Sequence, residues 1–108
     1  MNAQAMHRDL AKGRWHTLSL AEQLGNVGSE YGRALSWKEK NNPEYTLKAF
    51  DRMLELLDLT IADPRWLRRL KELVRLREET CRLLETGGNG RDLRKYFLQF
   101  ALLARRGK

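Results

Sequence analysis

The sequence contains few residues of several kinds, and each shortage excludes a class of protein. With Cys81 as its one cysteine, the chain can form neither an internal disulfide nor a cysteine-based metal cage. It has two valines and one isoleucine, whereas leucine is frequent, and this composition favours helices over sheets. No uncharged run is long enough to cross a membrane, and charges interrupt the N-terminal positions where a signal peptide needs an apolar core. We therefore expect a cytoplasmic protein without a membrane span.

What the chain has in excess is positive charge. Its 21 Lys and Arg residues outnumber 14 Asp and Glu residues, which gives a net charge of +7 and a pI of about 10.0. The excess is uneven, since residues 89–108 alone carry +5. At 108 residues and 42% hydrophobic content, the chain is long enough for one packed core and too apolar for a disordered basic tail.

Four segments carry the signals of helix ends. Asn42 and Asp63 each precede a proline, and an N-cap residue followed by proline is a typical helix start. Ser19 and Glu22 form a capping-box pattern, and the Gly-rich run at 87–90 is typical of a helix stop followed by a loop. These signals predict helices over 19–40, 43–62, 64–86 and 91–106.

The short connections between these helices predict an all-α fold, an up-down antiparallel four-helix bundle over residues 19–108. Residues 1–18 are interpreted as an N-terminal arm, from which Trp15 and Leu18 could fold back over one end of the bundle. Apolar residues recur with helical spacing in the second and third helices. In the second helix they are Leu47, Phe50, Leu54, Leu57 and Ile61, with Met53, Leu56 and Leu59 widening the stripe. In the third helix they are Leu67, Leu70, Val74, Cys81 and Leu84. We expect these side chains to form the core.

Arg77 is the one charged residue within the apolar stripe of the third helix. An unpaired buried charge is costly, so two arrangements are open. The side chain could extend to water at the edge of the stripe, or it could pair with Glu22, Glu30 or Asp58.

The first helix has a row of small residues beside its leucine stripe. Ala21, Gly25, Gly28 and Gly32 cluster about a quarter turn from the apolar side. An internal glycine costs a helix about 1 kcal/mol relative to alanine, so three of them need an offsetting gain. Close approach of another helix of the same chain, a subunit interface, or a hinge could each supply that gain.

Polar residues of the first helix are expected on its other side. Gln23, Asn26, Glu30 and Arg33 form this set, and a solvated face is the simplest interpretation. Asn26, however, is a poor helix former in mid-helix because its amide competes with backbone hydrogen bonds. Its presence favours a specific hydrogen-bonding role.

This helix resembles one in a known family. The stretch from Leu20 to Ala34 is similar to the helix of the 23S rRNA-intervening-sequence proteins that carries a Gln, an Asn followed by an aliphatic residue, a Glu, and an Arg seven positions after the Asn. Asn26 and Arg33 match that spacing, and the apolar stretch Phe50–Leu59 resembles the family's next helix. The superfamily includes the accessory variability proteins of diversity-generating retroelements. The resemblance implies a basic four-helix bundle that forms a pentamer and works with a reverse transcriptase and its template RNA.

The cationic residues suggest where nucleic acid would bind. The candidates are Arg68, Lys71, Arg75 and Arg82 in the third helix, and Arg91, Arg94, Lys95, Arg105 and Arg106 at the two ends of the fourth. Such residues can form a solvated, ion-paired face, and those at a helix C-terminus also complement the helix dipole. The functional interpretation is a surface that tracks phosphates, because the planar arginine fork matches phosphate oxygens and each contact releases counterions.

We therefore predict a non-catalytic RNA-binding bundle, a homo-oligomer, with no cofactor and no metal. Only His7 and His16 could act as bases near neutral pH, and neither has a metal-ligand companion at a useful spacing. One alternative is a protein-interaction adaptor whose charges only maintain solubility. Another places the fourth helix on an anionic membrane through its apolar residues, Phe97 among them. Because the bundle needs those residues for its core, we expect no membrane partner.

Overall fold

Helices account for the regular structure of the described part of the chain. The computed structural model describes residues 13–86, 96–97 and 102–104. Three α-helices span Leu20–Glu39 (α1), Pro43–Ile61 (α2) and Leu70–Thr86 (α3), and short 3-10 helices span Trp15–Thr17 and Pro64–Arg69. Residues 96–97 and 102–104, which fall within the predicted fourth helix, are also helical. The described residues contain no strand, and the all-α class is confirmed.

All three predicted N-caps that fall in the described residues are observed. Ser19 and Glu22 form the complete capping box at the start of α1. The side chain of Asn42 accepts a hydrogen bond from the Tyr45 amide at 3.1 Å. Asp63 accepts one from the Arg65 amide at 3.0 Å. Each cap satisfies an amide that has no partner within its own helix.

The third predicted helix begins six residues later than expected. Residues 64–69 form a 3-10 helix in which Trp66 leaves the helical region, at φ −103° and ψ 21°. Its indole Nε1 donates a hydrogen bond to Gln23 Oε1 at 2.9 Å, so a contact to α1 accompanies the kink. The α-helical geometry is reached only at Leu70.

α1 and α2 run antiparallel along a shared core. Trp37 near the end of α1 stacks on Tyr45 near the start of α2, and Glu30 meets Arg52 farther along both helices. Trp15, from the segment before α1, is also part of the core, where its Nε1 donates to Thr60 Oγ1 at 3.3 Å. The folding back of Trp15, which the sequence suggested, is thus observed.

The predicted core stripe is confirmed for Phe50, Met53, Leu56 and Leu57 of the second helix, whereas the stripe of the third helix was wrong in rotation. In α2 the buried residues are Thr46, Ala49, Phe50, Met53, Leu56, Leu57 and Thr60, whereas Leu47 is exposed and Leu54 and Ile61 are only partly buried. In α3 the buried residues are Leu73, Leu76 and Thr80, whereas Val74 is 38% exposed. Leu67, in the 3-10 helix before α3, is 71% exposed. The side chain of Leu84 lies outside the described residues.

Three threonines belong to the core faces of these helices although they are polar. The hydroxyls of Thr46, Thr60 and Thr80 each donate to a backbone carbonyl of the preceding turn, at 2.7, 3.0 and 2.8 Å. A threonine whose hydroxyl is bonded in this way can be buried with little penalty. Counting only apolar residues therefore misses three positions of the core. In the third helix the predicted stripe through Leu67 and Val74 also passed over Leu73 and Leu76, which are apolar and buried.

Arg77 combines the two arrangements that the sequence left open. Its Nε lies 2.7 Å from Asp58 Oδ1, and both side chains are partly in water at the edge of α2 and α3. The Asp58 carboxylate raises the pKa of Arg77. Cys81 packs against the core from a partly buried position rather than within it.

Candidate functional site

The outward face of α3, together with the end of the 3-10 helix before it, carries the cationic residues predicted to contact nucleic acid in this part of the chain. Arg68, Lys71, Arg75 and Arg82 are all exposed, on the side away from the core. Arg82 forms an ion pair with Glu79, one helical turn away. Among the described residues, no ion pair involves Arg68, Lys71 or Arg75. We call these three residues the α3 basic row.

A neighbouring carboxylate on this helix is already matched. Arg69 holds Glu72, with its guanidinium 2.8 Å from Oε1, and the Tyr96 hydroxyl donates to the same oxygen at 2.9 Å. Arg69 lowers the pKa of Glu72, while burial and the carboxylate together raise the pKa of Tyr96 to about 12. Glu72 is therefore directed to the flank of α3 and not toward the basic row.

The other predicted nucleic-acid contacts belong to the predicted fourth helix. Arg91, Arg94, Lys95, Arg105 and Arg106 lie outside the described residues. Phe97, between them in sequence, is buried and packs against Tyr31 with ring centroids 5.6 Å apart. Phe97 thus belongs to the core, which argues against the alternative that used it as a membrane contact.

The glycine row of α1 has one position with a clear packing role. A Cβ added at Gly28 would overlap the Cβ of Phe97 and lie 2.9 Å from its Cγ. Close approach of another segment of the same chain therefore accounts for this glycine. Gly32 faces open space, with nothing within 4 Å of an added Cβ, and Gly25 is partly buried.

Asn26 and Arg33, the residues that carried the family resemblance, have local partners. The Asn26 amide donates to the Glu22 carbonyl at 3.0 Å, one turn earlier in α1, and the residue is exposed. Arg33 extends to water while its NH1 lies 2.8 Å from Glu30 Oε1. These bonds fix both side chains on the outer side of α1.

The predicted solvated face of α1 was wrong for two residues. Gln23 and Glu30 are buried. Each stands three residues after an apolar residue of the core stripe, Leu20 or Val27 respectively, and so points inward. Glu30 is stabilised there by Arg33 and by Arg52 of α2, whose Nε lies 3.2 Å from Oε2. Two guanidinium groups thus compensate one buried carboxylate.

Gln23 belongs to a buried polar cluster at the end of the helices, which the sequence did not predict. Its Nε2 donates to the Trp15 carbonyl at 2.9 Å and to Asp63 Oδ2 at 3.1 Å. Its Oε1 accepts from Trp66. Arg65 donates through NH2 to Asp63 Oδ2 and to the Leu18 carbonyl, both at 2.7 Å. We call this cluster the Asp63 junction.

Asp63 is the electrostatic centre of that junction. His16 Nδ1 also lies 3.2 Å from its Oδ2, so donors reach the carboxylate from three segments of the chain. The Arg65 hydrogen bonds lower the pKa of Asp63 far below its ordinary value, and burial only partly opposes this. Across the described residues no buried side-chain nitrogen or oxygen lacks a partner. These hydrogen bonds hold together the start of α1, the residues that follow α2, and the segment before α1.

Two aromatic rings mark the opposite end of α1 and α2. Trp37 and Tyr45 stack with their centroids 4.8 Å apart and an interplanar angle of 26°. Lys40 Nζ lies 5.0 Å from the centre of the Trp37 ring, and Lys48 Nζ lies 5.2 Å from that of Tyr45. Sequence reasoning missed this site because the two rings are eight residues apart and meet only across the α1–α2 turn.

In the described part of the chain, no cluster of three or more His, Cys, Asp or Glu residues could hold a metal ion. No helix in that part is both long and apolar enough to cross a membrane. No family model matches the chain, and no characterised protein or solved structure matches it either.

Proposed function

We propose that this chain is a non-catalytic RNA-binding protein of the cytoplasm, built as an up-down antiparallel four-helix bundle. The antiparallel contacts of α1 with α2 support this arrangement. So does the position of α3, whose Arg77 meets Asp58 near the end of α2. Helical residues 96–97, which reach Gly28 of α1 and Glu72 of α3, supply the start of a fourth packed segment.

The α3 basic row is the observation that carries the proposal. Arg68, Lys71 and Arg75 stand in water with no carboxylate partner among the described residues, so their charges are free to meet phosphates. Lys71 and Arg75 are one turn apart, at about 6 Å along the helix axis. Arginine and lysine held in such a row favour contact with a nucleic-acid backbone over reading of bases.

The wider biological role in the proposal comes from the family resemblance of α1. A homo-oligomer would bring several α3 basic rows onto one assembly. An accessory protein of a retroelement reverse transcriptase would use such an assembly to hold structured template RNA. Neighbouring genes encoding a reverse transcriptase with adjacent template and variable repeats would support that role.

The binding test is a titration of structured RNA at several salt concentrations. Three phosphate contacts on a duplex contribute about −2.7 to the slope of log affinity against log salt, a loss of roughly fortyfold between 50 and 200 mM. Arg75→Gln should reduce the magnitude of the slope by about 0.9. The matched control is Arg69→Gln, which makes the same change in net charge but removes a guanidinium already held by Glu72. It should change the slope by less than half as much.

Two results would contradict the proposal. Absence of binding at 50 mM salt, where electrostatic affinity is high, would end the nucleic-acid interpretation. An unchanged slope for Arg75→Gln would show that RNA binds elsewhere.

A protein-interaction adaptor is the second candidate, favoured by two exposed apolar residues beside the basic row. Leu67 and Val74 are seven residues apart and lie on one side of the third helical segment. An exposed apolar surface on one side of a helix can meet a partner protein when its residues form a continuous patch. A stoichiometric complex with a purified partner that survives high salt, contains no nucleic acid and is lost in Leu67→Gln would favour this function.

A further inference from the structure

The stacked aromatic pair at the α1–α2 turn lies where its rings can meet a ligand. Tyr45 is 46% exposed and Trp37 is partly buried, so the pair forms part of the molecular surface. Tyr45 is not among the residues that pack against the core. The exposed ring area is therefore not explained by packing of the bundle.

The surface around the pair is cationic. Lys40 and Lys48 lie over the two rings, and Lys48 also reaches Glu44 at 3.2 Å. Farther along the same side, Arg33 of α1 and Arg52 of α2 converge on the single carboxylate of Glu30. Two arginines share one negative charge there, so a positive charge remains.

Helix geometry joins these groups into one continuous strip. Residues 33 and 37 lie four apart in α1, and residue 40 follows three positions later at its C-cap. Residues 45, 48 and 52 follow each other at spacings of three and four in α2. Such spacings place side chains on one face of each helix. Because the two helices are antiparallel and Trp37 touches Tyr45, the two faces meet along their seam.

We propose that this seam binds unpaired nucleobases by stacking, with Lys40 and Lys48 contacting the flanking phosphates. An aromatic ring within a positively charged groove is the arrangement that binds single strands, since every base has a π-face and the groove neutralises the backbone. The lysine side chains are long and flexible, so they can leave the ring faces for phosphate oxygens when a base stacks. The inference rests on the proposed function and refines it, because it assigns single-stranded stretches of the RNA to a site distinct from the α3 basic row.

The test compares three polyanions in fluorescence-anisotropy titrations of the full chain. They are a single-stranded oligoadenylate, a blunt RNA duplex, and inorganic polyphosphate, which carries charge but no base. Tyr45→Leu should weaken binding of the single strand by about five- to a hundredfold, the range for loss of one stacked base. Its binding of duplex and polyphosphate should stay within twofold of wild type.

Tyr45→Phe is the matched variant, because it keeps the ring and removes only the hydroxyl, and it should bind the single strand as wild type does. Unchanged thermal unfolding of Tyr45→Leu would show that its fold is intact. If it is less stable, Lys48→Gln provides a second variant, which should weaken binding of the single strand and, because Lys48 contacts phosphates, of polyphosphate, while duplex binding stays within twofold of wild type. Equal affinity of wild type, Tyr45→Leu and Lys48→Gln for the single strand would overturn the stacking site. If Arg75→Gln still weakened duplex binding, the proposed function would survive that result, whereas failure of all three polyanions to bind wild type would overturn both.

Discussion

Replacing Asp63 with asparagine should destabilise the protein far more than the same change at an exposed aspartate. Asp63 is buried and accepts hydrogen bonds from Gln23 and Arg65, with His16 also at its Oδ2. Asparagine keeps one oxygen for the Arg65 amide and so preserves the cap. It removes the negative charge and replaces Oδ2 by an NH2 group, which is a donor and would face the donors of Gln23 and Arg65.

The magnitude follows from which partners are left without an acceptor. Breaking a buried charge pair costs about 3–5 kcal/mol when the remaining charge cannot reach water. Arg65 is 39% exposed and can be hydrated, which lowers that figure. Gln23 loses one of its two acceptors but keeps the Trp15 carbonyl. We therefore expect a loss of about 2–3 kcal/mol in the free energy of unfolding, since a hydrogen bond to a charged group is worth about 1.5–3 kcal/mol.

Urea unfolding at pH 7, followed by tryptophan fluorescence, measures this loss directly. Trp15 and Trp66 both contact the Asp63 junction and report on it. The control is Asp51→Asn on the exposed side of α2, which should change stability by less than about 0.5 kcal/mol.

The stability contributed by Asp63 should decrease as the pH falls. The folded-state pKa of Asp63 is lowered, so its contribution to stability is complete above about pH 5. Below about pH 4 the unfolded chain binds the proton first, and the contribution is lost as the pH falls toward the folded-state pKa. The gap between wild type and Asp63→Asn should then narrow by up to about 1.4 kcal/mol per pH unit. A variant within 0.5 kcal/mol of wild type at pH 7, or a gap independent of pH, would refute this reasoning.

Further predictions concern packing. Gly28→Ala should lower the unfolding temperature because its Cβ would overlap Phe97. Gly32→Ala, in open space, should stabilise α1 by up to about 1 kcal/mol. Thermal unfolding of both variants compares them, and equal effects would contradict the packing role of Gly28. Leu73→Ala should cost about 2–5 kcal/mol in urea unfolding, whereas Leu67→Ala should cost less than about 0.5 kcal/mol. The reverse order would restore the core stripe that the sequence predicted.

The helix boundaries were predictable because their signals are local. Asn42 and Asp63 lie beside prolines, and Ser19 lies three residues before Glu22, so each cap can be read within one helical turn. The burial of the threonines was not predictable by counting apolar residues. Thr46 and Thr60 are polar by composition but are buried, since each hydroxyl bonds to the preceding turn.

The Asp63 junction was not predicted from the sequence, because its residues come together only in the folded chain. Gln23 and Asp63 are 40 residues apart and meet only after α1 and α2 have packed in their particular register. One local signal was available, because Gln23 stands three residues after Leu20 and four before Val27, on the apolar stripe itself. A polar residue at such a position indicates a buried hydrogen-bonding partner.

The most direct test of RNA binding by the α3 basic row is an amide and guanidinium NMR titration of the labelled protein. A short RNA hairpin would be added at about 50 mM salt, where phosphate contacts are strong. The account predicts saturable shifts of the Arg68, Lys71 and Arg75 resonances that decline as salt is raised. Shifts confined to other surfaces, or no shifts at any RNA concentration, would contradict it.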